Sequence, residues 1–125
     1  MSELGYVVET NELKDNVEEI QNKGGEVIIC EADGKVIGSA CVLIDARLAE
    51  GIYAEIVSLV VAEKERAKGI GARLLEEAEI WASQRVNKIR VRANVIRDEA
   101  HKFYISKGYE HTKSQKVFIK RIRNN

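Results

Sequence analysis

The sequence predicts an α/β (α+β) domain, a mixed sheet of about six to seven strands with about three helices on its faces. Three observations carry that expectation. Short apolar runs and helical stripes follow one another as strand, helix, three strands, helix, strand, helix and two strands. The run Ile56, Val57, Leu59, Val60, Val61 is apolar on both faces, as a strand in the middle of a sheet is. Directly after it, Arg66-Ala67-Lys68-Gly69-Ile70-Gly71 leads into an amphipathic stretch, so a cationic, glycine-bearing turn joins a strand to a helix.

Taken in order, Gly5-Tyr6-Val7-Val8-Glu9 reads as a short first strand. Residues 11–23 set Leu13, Val17 and Ile20 at helical spacing, with Thr10 or Asn11 as cap and Gly24-Gly25 as stop. Glu26–Glu31 and Lys35–Ile44 form a hairpin across Asp33-Gly34, and Arg47–Gly51 is a polar connection. Tyr53–Val61 is the central strand. A helix from about Ala67 to Arg85 carries the inward stripe Ile70, Leu74, Leu75, Ala78, Trp81, Ala82. Lys88–Ala93 alternates as a strand, Asp98–Ser106 is a short helix stopped by Gly108, and Glu110–Thr112 with Val117–Arg121 makes a terminal hairpin.

Composition narrows the function classes. With 125 residues, 45% apolar and 32% charged, the chain has material for one core, and no repeat, proline or low-complexity linker divides it. Residues 1–125 are therefore read as a single domain. No apolar run approaches the roughly 18 residues of a membrane span, and Met1-Ser2-Glu3-Leu4 lacks the features of a signal peptide, so a cytoplasmic protein is expected. In the hairpin, Cys30 is expected to face Ile37 and Cys41 to face Glu26. That leaves the thiols roughly 13 Å apart along the strands, beyond the about 7 Å of a disulfide. With His101 and His111 as the only histidines, no metal site is expected.

Charge sums to zero but is unevenly spread. Residues 1–33 hold nine acids against Lys14 and Lys23, whereas residues 86–125 hold eleven Lys or Arg against Asp98, Glu99 and Glu110. A cationic second half suits a polyanionic ligand, and an acidic first half could draw a cationic one; solvated faces without function are the plainer alternative. Excess positive charge with interleaved aromatics, the mark of a nucleic-acid binder, is not present.

The strand–turn–helix junction is the place for a phosphorylated ligand. The first turn of a helix has backbone N–H groups without intrahelical partners, and its dipole favours negative charge there. Glycines at 69 and 71 let a phosphate approach the main chain. The segment is not a P-loop, because no glycine, four residues and Gly-Lys-Ser/Thr occur in sequence, and it is not a dinucleotide fingerprint, because position 74 is Leu. Arg66-x-x-Gly69-x-Gly71 remains.

Together with Arg97-x-x-Ala100-His101-x-Phe103-Tyr104-x-x-x-Gly108-Tyr109, that pattern resembles the GCN5-related N-acetyltransferase (GNAT) superfamily, over residues 26–121. The resemblance implies the GNAT fold, with a mostly antiparallel sheet and, here, a shortened N-terminal helical region. It implies acetyl-CoA as cosubstrate. Its pyrophosphate would lie on the amides of Lys68, Gly69, Ile70, Gly71 and Ala72, with Arg66 and Lys68 adding charge across the loop that includes Ala67. The family's pantetheine site corresponds to Leu59, Val60 and Val61, where the strand bulges away from its neighbour. There a backbone N–H could also stabilise the oxyanion of the tetrahedral intermediate.

By the same resemblance Tyr104 protonates the departing thiolate, and Asn94 bonds the cofactor amides. Phe103, next to it, is expected to pack inside. Glu55 matches the catalytic glutamate of histone-type members and is the candidate base; a solvated residue beside Tyr53 is the alternative. An ammonium of pKa near 10.4 needs about 4–5 kcal/mol to lose its proton at pH 7, so a base matters more than an acid near neutrality. The roles of Arg97 and His101 stay open.

Family members usually have two helices between the first two strands, and residues 10–25 have room for one. The acceptor cleft is then open, completed by a homodimer partner, or suited to a large acceptor. The expected activity is acetyl transfer to a primary amine of a small molecule or peptide by direct attack, with no cysteine near the motifs to form an acetyl-enzyme. The alternative is a non-catalytic acetyl-CoA-binding sensor.

Overall fold

The helix stop at Gly24-Gly25 works through hydrogen bonds. Helix α1 spans Thr10–Asn22. Gly24, at φ +84°, gives its N–H to the Gln21 carbonyl at 3.1 Å, and Gly25 gives its own to Ile20 at 2.9 Å. This double bond pattern satisfies carbonyls that the helix end would otherwise leave orphaned. Leu13, Val17 and Ile20 are half-buried, and their neighbours on the helix face solvent. The computed structural model describes residues 10–92 and 98–123; the expected strand over Gly5–Glu9, and Asn94 and Arg97, lie outside them. The chain divides into two compact units, Met1–Arg92 and Ala93–Asn125.

The first unit holds one four-stranded sheet in the order β1-β2-β3-β4. Strands β1 (Glu26–Ala32), β2 (Lys35–Arg47) and β3 (Gly51–Val61) are antiparallel neighbours, and β4 (Ile89–Val91) runs parallel to β3. Between β3 and β4 lie a 3-10 turn at Glu63–Glu65 and helix α2, Ile70–Ser83. The helix starts three residues later than its periodicity suggests, because Ala67 and Gly69 take left-handed backbone angles that no helix accommodates.

The hairpin forms as expected across Asp33-Gly34, both at positive φ, but a bulge between Cys30 and Glu31 shifts its register. Cys30 therefore faces Gly38, and Cys41 faces Val27, each one residue from the expected partner. Both cysteines remain free thiols.

Residues paired across a sheet share a face. One face carries Ala40, Val42, Ile44, Ala54, Ile56, Ile89 and Val91, and α2 covers it. Ala40, Val42, Ala54 and Ile56 meet the α2 residues Leu74, Leu75, Ala78 and Ala82 in a core where none is more than 3% exposed. The close approach needs Gly38, where a Cβ would lie 3.0 Å from Leu74 Cδ1 and 3.1 Å from Ile70 Cγ2. Trp81 is only half-buried, with the Arg85 guanidinium 4.2 Å over its ring. The other face carries Leu43, Asp45, Tyr53, Glu55 and Arg90. Helix α1 lies on this side, since a Cβ on Gly25 would meet Ile20 and Leu43 together.

The second unit contains α3, Asp98–Ser106, with the expected bounds. It ends as α1 does: Gly108 donates to Ile105 at 3.1 Å and Tyr109 to Tyr104 at 3.0 Å. The expected terminal hairpin is not formed. Residues 109–122 have neither helix nor strand, and Val117, Phe118, Ile119 and Ile122 are 82–97% exposed. Glu110–Thr112 is three polar residues, too few for a ladder and without an apolar face to hold one. The described sheet thus has four strands where six to seven were expected. No described helix is long and apolar enough to cross a membrane.

Candidate functional site

Strand β3 is irregular at one residue, and that residue shapes the site. Cys41 pairs with Ser58 but Val42 pairs with Ile56, so Val57 is an extra residue in β3. An insertion of this kind reverses which backbone groups face which neighbour. Before it, Ala54 and Ile56 face β4: Ala54 N–H bonds the Lys88 carbonyl at 3.0 Å, and Ile56 C=O accepts from Arg92 N–H at 3.4 Å. After it, Ala62 N–H bonds Ile37 on the β2 side at 2.8 Å, so alternation turns Val61 and Leu59 away from β2. The Val61 carbonyl accordingly accepts from Arg66 Nε at 3.2 Å.

β4 pairs with β3 over Ala54–Ile56 only. Beyond the bulge, the edge groups of Leu59 and Val61 therefore face no described strand. Val60 differs from its neighbours, because its backbone is turned to Ser39 of β2.

At the end of this open edge stands the N-terminus of α2. Its cap residue is Gly69 at φ +82°, and no side chain caps it. The N–H groups of Ile70, Gly71 and Ala72 are thus left to an outside acceptor. Ala67 at φ +67° and Gly69 at φ +82° follow the extended Arg66, so the loop turns sharply just before the helix. Among the described residues Arg66 commits only Nε, to the Val61 carbonyl, leaving four N–H donors. Lys68 is tied to Glu65 at 2.9 Å with its own side chain 60% exposed.

Two residues before the bulge, Glu55 is buried at 7% exposure. It is therefore not the solvated residue of the alternative reading, and its surroundings are charged. Oε1 accepts from Arg90 and, at 3.1 Å, from Arg92 Nε. Arg90 also reaches Asp45 at 3.0 Å and Glu50 at 3.2 Å, and it lies 4.0 Å over the Tyr53 ring. Tyr53 donates its hydroxyl to Glu50 at 2.7 Å. The Arg47 hydrogen bond, with the charges of Arg47 and Arg90 behind it, holds the Asp45 carboxyl below its ordinary range.

In the second unit, Tyr104 is half-buried between two rings. Phe103 lies 5.3 Å away and Tyr109 5.8 Å away, both edge-on at 71°. Burial raises the Tyr104 hydroxyl above its ordinary value of 10.0. Phe103, expected inside, is also only half-buried, with Lys107 5.9 Å over its ring. Among the described residues no group of His, Cys, Asp and Glu could hold a metal ion.

A sequence model of the acetyltransferase (GNAT) family matches residues 3–109. The chain belongs to this family. No curated protein matches it in sequence, but solved GNAT structures share its fold. An aminoglycoside 6'-N-acetyltransferase from Acinetobacter haemolyticus superposes with TM-score 0.76 at 17% identity, over 94% of this chain and 86% of that one. An aminoglycoside N-acetyltransferase solved in complex with CoA gives TM-score 0.76 at 22% identity, over 89% and 87%. Glucosamine-6-phosphate N-acetyltransferase from Arabidopsis thaliana gives 0.76 at 21% identity, over 90% and 80%.

Within the GNAT frame, sequence reasoning named the junction Arg66–Ala72 and the pair Leu59 and Val61, which the first unit brings to one edge. It missed Arg90 and Arg92. Their signal was the alternation Lys88-x-Arg90-x-Arg92; what the alternation lacked was the register that sets Arg90 beside Glu55.

Proposed function

We propose that this GNAT protein is an acetyl-CoA-dependent N-acetyltransferase, a single cytoplasmic domain that acetylates a primary amine of a small molecule or peptide by direct attack in a ternary complex. The observation that carries this reading is the α2 N-terminus without a side-chain cap at the end of a β3 edge that faces no described strand. The two together suit a diphosphate with an amide-bearing arm. The family match and the CoA complex of a fold neighbour point the same way.

Acetyl-CoA supplies an activated acyl carbon when bound. Ile70, Gly71 and Ala72 offer N–H groups to its diphosphate, with Lys68, Gly69, Ala67 and the Arg66 guanidinium around them. Leu59 and Val61 offer strand-edge backbone to the pantetheine amides, and a main-chain N–H at the bulge can meet negative charge developing on the carbonyl oxygen. Val60 contributes its side chain, and Asn94 is assigned to the cofactor amides by family resemblance. Tyr104, raised by burial and so protonated at neutral pH, gives its proton to the leaving thiolate. Glu55 takes the amine proton, directly or through water, using Oε2, since the arginines occupy Oε1.

A second reading, an acetyl-CoA-binding sensor, draws on that same occupation of Oε1, which ties the base candidate into a structural ion-pair cluster. Calorimetric titration with CoA, then thiol release from acetyl-CoA with an amine panel, separates the two. Heat with release establishes the enzyme, heat with no release on any amine establishes the sensor, and no heat removes both. A homodimer would complete the acceptor cleft beside the lone helix α1, and light scattering reads that directly.

A further inference from the structure

We infer that the acceptor amine carries its own anionic group, a carboxylate or a phosphate, and that Arg92 is the residue that holds it. The inference rests on the acetyl-transfer reading above and names the substrate class for it.

Arg92 stands at the fork of the sheet. Its N–H to the Ile56 carbonyl is the last described bond between β4 and β3, and the open edge of Leu59 and Val61 begins just past it. The Arg92 side chain therefore stands next to the place where a thioester laid along that edge would begin.

The charges already in place argue against a polycation. Asp45, Glu50 and Glu55 are the carboxylates of this face, and each is taken. Arg90 reaches all three, Arg47 adds a bond to Asp45 at 2.9 Å, and Arg92 adds one to Glu55. Three acids meet three arginines, so this cluster itself has no net negative charge left to attract several ammonium groups; the acids of α1 lie outside it. A polyamine would have to displace existing ion pairs and approach Arg92 against its charge.

Donors, by contrast, are available. Arg92 commits Nε to Glu55 at 3.1 Å, and its two Nη groups make no bond among the described residues. Its side chain is 45% exposed, against 23% for Arg90. A guanidinium fixed at Nε by a carboxylate only 9% exposed presents its remaining edge in a set direction, and that planar pair of donors matches two oxygens of a carboxylate or phosphate. On Glu55, both guanidiniums use Oε1. Oε2 is not a buried orphan, since no buried side-chain oxygen among the described residues lacks a partner, so it keeps some contact with solvent although the side chain is only 9% exposed. One carboxylate thus sits between a place for an amine and a donor pair for an anion. A small molecule bearing both groups fits that juxtaposition.

Matched pairs test it: β-alanine against β-alaninamide, and phosphoethanolamine against ethanolamine, with spermidine and kanamycin as polycations. Each is assayed for thiol release from acetyl-CoA and, separately, for heat on titration into the protein with CoA present. The anionic member of at least one pair is expected to exceed its neutral partner by about tenfold or more in kcat/KM and in affinity, the scale of one charge-assisted contact. The pair that responds identifies carboxylate or phosphate. In Arg92→Gln the ratio within the pair falls towards one, and in Arg92→Lys, which keeps the charge and loses the fork, it is intermediate. A preference for spermidine or kanamycin, no preference within either pair, or a ratio unchanged in Arg92→Gln overturns the inference. If no amine is acetylated, the calorimetry still decides: Arg92-dependent binding of an anionic amine upholds this inference while removing the transfer reading, and its absence removes the inference too.

Discussion

Ala67 is, with Asp33, one of two described non-glycine residues at positive φ. At φ +67° it occupies the left-handed region that costs a non-glycine residue roughly 1–2 kcal/mol, partly offset because glycine is costlier to order. Ala67→Gly is therefore expected to stabilise the protein by on the order of 0.5–1 kcal/mol in urea unfolding, with CoA affinity kept, since the loop conformation is unchanged. Tyr104→Phe tests the acid: turnover should fall by about 10²-fold or more, while calorimetric affinity for CoA is largely retained. Lost affinity with normal turnover would assign Tyr104 to binding instead. The raised hydroxyl has a pH consequence of definite sign. The folded state holds this proton more tightly than the unfolded chain, so the stabilising contribution is complete below about pH 10 and is lost as pH rises through the folded value. Tyr53, raised by burial and by its bond to Glu50, behaves alike, so Tyr104→Phe should reduce the alkaline loss of stability without abolishing it. For Glu55→Gln, the base reading expects a fall in kcat that is steepest near neutrality; an unchanged pH profile would leave Glu55 as an ion-pair anchor alone.

At the scale of elements, β3 and α2 form the proposed site between them. Deleting Val57 would remove the inserted residue and return the strand to simple alternation. The groups of Leu59 and Val61 would then turn to β2, and the expected outcome is lost CoA binding with the circular-dichroism signature of the fold preserved. Truncating Leu75, 2% exposed on α2, to alanine should cost about 2–5 kcal/mol in denaturant unfolding, the range for buried leucines. These elements were legible to different degrees. The stripe Leu74, Leu75, Ala78, Ala82 announced its helix, because burial on one side imposes a period that side-chain chemistry records. The late start at Ile70 was not legible, since Arg66-Ala67-Lys68 has no residue that forbids a helix and the left-handed angle at Ala67 is set by the turn out of β3. A bulge in β3 was expected on family resemblance at Leu59–Val61, and the inserted residue is Val57; composition could not place it, for an apolar residue looks the same paired or inserted. Arg90 and Arg92 were visible as alternating cations, but their partners depended on a strand register that no local pattern encodes.

Across the whole molecule, charge is arranged in closed clusters as well as in opposed halves. The one around Arg90 joins β2, β3 and β4 and reinforces a β4 that has three paired residues. Asp45, held below its ordinary range chiefly by the Arg47 hydrogen bond, contributes stability that is present above about pH 4 and lost as pH falls through its folded value. Asp45→Asn should flatten the acid side of a stability-versus-pH curve and leave the neutral region nearly level. The exposed run Val117, Phe118, Ile119 and Ile122 has a different bearing on the molecule's fate. Four residues of high β-propensity within six positions, open to water, are what cross-chain stacking into fibrils selects. Lys116, Lys120, Arg121 and Arg123 border and interrupt that run, and identical copies brought into register would stack like charge on like charge. These four cations thus act as gatekeepers against self-association, and replacing Lys120 and Arg121 with serine should turn a clear concentrated solution turbid, with thioflavin fluorescence rising as it does.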